Sequence, residues 1–107
     1  MSVAGPTLDP AELAGHKVVA LFDRAEARDF ADVHALTARY DLDHLVELAE
    51  GIDVGFDVAI FADMLESHER FSDEEIPATD VAAVRAFAAR WAQELRLRAN
   101  PPPDQRR

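Results

Sequence analysis

Apolar residues return every three or four positions along most of this chain, and nowhere do they alternate with polar ones for the length of a strand. That periodicity restricts the fold to helices, because only a helix brings residues three and four apart onto one side. Ala14, Val18, Leu21, Phe22 and Ala25 make the first such stripe. Asp9-Pro10-Ala11-Glu12 ahead of it is a helix start, with Asp9 to cap, Pro10 for the first turn and Glu12 to complete a capping box. A first helix from about Pro10 to Ala25 is predicted, with Gly15 a tolerated weak point inside it.

A second helix from about Arg28 to Arg39 follows a tight polar corner at Glu26-Ala27-Arg28-Asp29 that contains neither proline nor glycine. Phe30, Val33, Thr37 and Tyr40 share one of its faces; Asp29, Asp32 and Leu36 share the neighbouring one, so the two carboxylates should point the same way. Asp41 can cap a third helix carrying Leu42, Leu45, Val46, Leu48 and Ala49, ended by Gly51 in a left-handed conformation. A fourth, from about Phe56 to His68, buries Val58, Phe61, Met64 and Leu65 before a charged loop from Glu69 to Pro77. Thr79 or Asp80 caps the longest helix, which runs to about Arg98 with Val81, Val84, Phe87, Ala88, Trp91 and Leu95 inward. The expected fold is all-α, a compact bundle or array of about five helices without a sheet. One helical domain spans residues 9–99, between a flexible N-terminus, 1–8, and a disordered Pro-rich tail, 100–107.

With 107 residues, 49% of them hydrophobic, one core is affordable. The absence of cysteine excludes disulfides and thiolate metal sites, and a cytoplasmic location fits it. No apolar run is long enough for a membrane span, and MSVAGPTLDP lacks the layout of a signal peptide, so no membrane association is expected. A net charge of -10, from 21 acidic and 11 basic residues, repels nucleic acid and anionic lipid. Arg70 apart, the basic residues fall between Lys17 and Arg39 or from Arg85 onward, so any anion site must be local.

Such a site is suggested between His16 and Leu36. Lys17, Ala20, Arg24 and Arg28 are spaced by three, four and four residues, and even across a bend near Glu26 the three cations can converge on one anion. Asp29 or Asp32 could then orient a hydroxyl or accept its proton, as phosphoryl and nucleotidyl transfer require. An ordinary reading stands beside this one: Arg28 and Asp32 as an i, i+4 surface pair, Asp29 favouring the start of the second helix, Lys17 snorkelling from the core edge. His16, His34, His44 and His68 have no metal-binding spacing, and no metal site is expected. The aromatic residues read as core, except that the loop position of Phe71 leaves its exposure open.

Leu8-Asp9-Pro10 leading into Leu13-Ala14, then Lys17 with Ala20-Leu21 and Arg24, Arg28-Asp29-Phe30, Asp32 with Leu36, and Gly55-Phe56-Asp57 form an ordered pattern. In this pattern the chain resembles the C-terminal region of the AbiEii/AbiGii family of nucleotidyltransferase-like toxins, the toxic partners of type IV abortive-infection toxin-antitoxin systems. The resemblance implies that Lys17 contacts nucleotide phosphates, that Asp29 or Asp32 is the candidate catalytic base, and that Arg24 and Arg28 support them in nucleotide binding. Complete members carry an N-terminal nucleotidyltransferase half, with a Gly-Ser or Gly-Gly turn and an Asp-x-Asp pair on a strand that holds divalent metal. That half is expected to be missing here, and Gly51-Ile52-Asp53-Val54-Gly55 is a superficial echo without the paired acids.

The resemblance therefore implies a remnant, a split subunit or a truncated frame, inactive alone and with no cofactor of its own. Mg and a nucleoside triphosphate would enter only with a partner half, and a cognate antitoxin is the other implied partner. The alternative is a small helical interaction or regulatory module without catalysis. A homo-oligomer is compatible with either.

Overall fold

A computed structural model of the chain describes residues 9–99, so the expectations for 1–8 and 100–107 lie outside the described residues. Five helices follow in order: α1 (Pro10–Asp23), α2 (Ala27–Leu36), α3 (Leu42–Ile52), α4 (Val58–Glu66) and α5 (Val81–Ala99). Short 3-10 turns at Ser67–Arg70 and Asp73–Glu75 lie in the α4–α5 connection, and no strand occurs among the described residues. None of the described helices is long and apolar enough to cross a membrane. The all-α expectation is met.

The helix ends differ from the sequence expectation in ways that matter for the site. Pro10 opens α1, but the Asp9 side chain makes no capping hydrogen bond, so the predicted box with Glu12 does not form. Helix α1 stops at Asp23, two residues short of Ala25, with the Arg24 N–H donating to the Ala20 carbonyl. Ala25 then takes φ 49, the left-handed region that glycine normally supplies, while its methyl is buried in the core. At α2 a reciprocal capping box forms instead, in which Glu26 and Asp29 each accept from the other's backbone N–H.

Helix α2 ends at Leu36, short of Arg39, where the Thr37 hydroxyl donates to the His34 carbonyl; Thr37, placed on the buried face by its spacing, is exposed. Asp41 caps α3 as expected, accepting from the His44 N–H at 2.9 Å. Gly51 does not end that helix: it lies inside it, and no described glycine has positive φ. The stop falls at Asp53, whose carboxylate accepts from the Gly55 N–H. Asp57 caps α4 by accepting from Ala59 and Ile60, which starts the helix at Val58 and not at Phe56. Asp80 accepts from the Ala83 N–H at the head of α5.

The amphipathic stripes meet in one core. Phe30, Phe61, Phe87, Leu21, Leu45, Leu65 and Leu95 are fully buried, with Trp91 edge-on to Phe87 at 4.7 Å. Helix α5 lies along α4, and α1 packs against α3, α2 and α4. Phe71 is part of this core and not an exposed platform: it is partly buried, edge-on to Phe30 at 6.1 Å. Arg85 of α5 holds that connection in place by donating to the carbonyls of His68 and Phe71 and to the Asp73 carboxylate.

Candidate functional site at the α1–α2 corner

Because α1 turns back into α2 within three residues, one side of α1 faces the start of α2 across a cleft of about 370 Å³. Leu13, His16, Lys17, Ala20 and Arg24 line it from α1 and its C-terminus, and Arg28, Asp29 and Asp32 line it from α2. All five residues singled out in the sequence, Lys17, Arg24, Arg28, Asp29 and Asp32, are therefore brought together. Leu13 and His16 were not named as residues of this site. Leu13 was legible, since it precedes Lys17 by four residues on the same face, whereas His16 was weighed only as a metal ligand.

The five are not equivalent. Asp29 is 2% exposed and its carboxylate is fully engaged: Arg24 donates from Nε and Nη2, each at 2.9 Å, and the Glu26 N–H donates at 2.8 Å. Burial alone would push the Asp29 carboxyl up, but the Arg24 guanidinium and the Glu26 N–H together hold it below its ordinary value. The same pair raises the pKa of Arg24, first through the hydrogen bond from its side chain to Asp29. A carboxylate with three donors and a lowered proton affinity is a poor proton acceptor and a good clamp for the corner.

Asp32 is placed otherwise. The expected i, i+4 pair with Arg28 does not form; Asp32 instead meets Lys17 across the helix pair, 3.2 Å from Nζ. Both side chains are about two-fifths exposed, at 42% and 38%. Asp29 and Asp32 thus lie on one side of α2 as their spacing requires, one buried beneath the corner and the other at its rim. Among the described residues, Arg28 has no carboxylate partner and is exposed at the cleft. Three cations and two carboxylates line the cleft, and a third carboxylate, that of Glu26, stands 3.8 Å from Arg24 Nε at its edge, so the corner is close to neutral on a chain of net charge -10.

The donor set does not fit a divalent ion. Both Asp29 oxygens are taken, and the described residues contain no group of three or more His, Asp or Glu side chains placed to hold one. An Asp-x-Asp triplet does occur at Asp41-Leu42-Asp43, but Asp41 caps α3 and Asp43 pairs with Arg98. It stands at a helix start and serves the scaffold.

Lys17 and the Arg28-Asp29-x-x-Asp32 segment thus stand together on an all-helical scaffold. Over residues 2–106 the chain matches the family described as Nucleotidyl transferase AbiEii toxin, Type IV TA system. The match spans essentially the whole chain, and the protein belongs to this family. No curated protein and no solved structure matches it.

Proposed function

We propose that this chain is the phosphate-recognising helical part of a nucleotidyltransferase-like toxin, whose α1–α2 cleft holds the phosphate groups of a nucleotide. The observation that carries the reading is the convergence of Lys17, Arg24 and Arg28 from two helices on one cleft, where Arg28 stands without a carboxylate partner among the described residues. Lys17 and Arg28 contact phosphate, Lys17 as a point charge and Arg28 through its fork of donors. Arg24 shapes the corner by clamping Asp29, which acts as a positioning residue. Asp32, at the rim and accessible, is the better placed of the two acids to accept a proton from a hydroxyl.

Nucleotide transfer needs charge stabilisation at the triphosphate that the described donor set does not supply. The chain therefore works with a partner half or a further segment, and its toxin-antitoxin family implies a cognate antitoxin as a second partner. Calorimetric titration of the purified chain with Mg-ATP, Mg-GTP and Mg-CTP tests the core of this reading. Saturable binding of at least one is expected, weakened about tenfold by Lys17→Ala, or roughly 1.4 kcal/mol. No heat from any of the three, or an affinity indifferent to that substitution, would refute it.

A further inference from the structure

The two ion pairs of the cleft differ in how easily an incoming anion can open them. Asp29 is buried and takes two parallel bonds from Arg24 plus a backbone N–H. Removing one partner of such a buried pair is costly, so Arg24 is not available to a ligand. Lys17–Asp32 is a single contact of 3.2 Å between half-exposed side chains. Pairs of that kind contribute little, and a phosphate oxygen bearing comparable charge can replace the carboxylate. Among the described residues Arg28 faces the same cleft with no carboxylate partner to displace, and Asp29, which feels its charge, is already paired with Arg24.

We propose that Arg28 is the standing anchor for a phosphate chain in this cleft, and that Lys17 is a second anchor which Asp32 holds until the anion takes its place. This rests on the phosphate reading above and adds an order of events to it. Phosphate binds first at Arg28, where nothing must be broken, and then draws the Lys17 ammonium away from Asp32. The release leaves Asp32 as a free carboxylate beside the bound anion, so a proton acceptor without an ammonium partner is present only in the loaded site. In the empty cleft the Lys17–Asp32 contact pairs the two groups with each other. Asp32 is then an internal competitor of the ligand for the Lys17 ammonium.

A double-mutant cycle with inorganic triphosphate as the probe tests this in the full chain at fixed ionic strength. Asp32→Asn is expected to tighten binding at least threefold, and Arg28→Gln to weaken it at least tenfold. In a Lys17→Ala background Asp32→Asn should lose most of its gain, because no ammonium remains to be freed; a pure loss of negative field would persist. Circular-dichroism melts of each variant confirm that the fold is kept, and both Asp32 and Arg28 lie at the surface. If Asp32→Asn leaves affinity unchanged or weakens it, if its gain survives Lys17→Ala undiminished, or if Arg28→Gln has no effect, the inference fails while the phosphate reading stands. If wild type and all variants fail to bind triphosphate and the nucleotides alike, both fall together.

Discussion

Two buried polar side chains, Asp29 and His68, tie the charged surface of this protein to its core. Asp29→Ala removes the return bond of the α2 capping box and leaves the Glu26 N–H without its acceptor. Breaking a buried pair costs about 3–5 kcal/mol; because the Arg24 side chain is 44% exposed and can resolvate, a loss nearer to about 2 kcal/mol is expected in urea unfolding. With its pKa held below 3.8, Asp29 contributes this stability fully above that value and loses it as pH falls through the folded-state pKa. His68 has the same sense of pH dependence in a different range. Burial and then the neighbouring Arg85 lower its pKa from 6.5, and the Arg85 Nη1 donates to Nδ1 at 3.2 Å, which requires the neutral ring. Its native state binds fewer protons than the unfolded one, so the stability it confers is complete above pH 6.5 and is lost as pH falls through the folded value. Urea midpoints taken between pH 7.5 and about 5 should fall in the wild type and fall less in His68→Gln. Equal slopes would contradict the assignment.

Helix existence was legible in the sequence, because the periodicity of Val18, Leu21, Leu45, Phe61, Leu65, Phe87, Trp91 and Leu95 depends on burial alone. Several helix ends were not, and the reason is tertiary. A left-handed stop was assigned to Gly51, yet the chain places that conformation at Ala25, where the buried methyl and the Arg24–Asp29 clamp hold the turn. Gly15 was taken as a weak point of α1, whereas it is a place where α3 packs close against it. A Cβ there would stand 2.6 Å from Ile52 Cδ1 and 3.2 Å from the Leu48 carbonyl oxygen. Helix propensity alone would make Gly15→Ala stabilising by about 1 kcal/mol. Overpacking against a backbone oxygen opposes it with about 1–3 kcal/mol, so a net loss of stability is expected, with α1 and α3 pushed apart. A higher melting temperature for Gly15→Ala would show that the helices do not need this approach. The pairing at the site was missed for a related reason. Local spacing favoured Arg28 with Asp32, but the approach of α1 to α2 offers Asp32 the Lys17 ammonium, and no local rule encodes that approach.

At the scale of the whole molecule, a chain of net charge -10 gathers three cations at one corner among as many carboxylates, so its long-range field does not attract an anion ligand. Binding there must come from short contacts and should weaken as salt screens them. The convergence of the five site residues was readable from their spacing; which of them remain available was not, since that depends on the burial of Asp29 and the exposure of Asp32. The most direct test is a nuclear magnetic resonance titration of the labelled full chain with Mg-ATP, following backbone amides together with arginine Nε–H groups. The account predicts shifts concentrated between Leu13 and Asp32, with the Arg28 Nε–H moving and the Arg24 Nε–H, held by Asp29, staying nearly still. Shifts absent altogether, or gathered on the α4–α5 side of the bundle, would contradict a phosphate site at this corner.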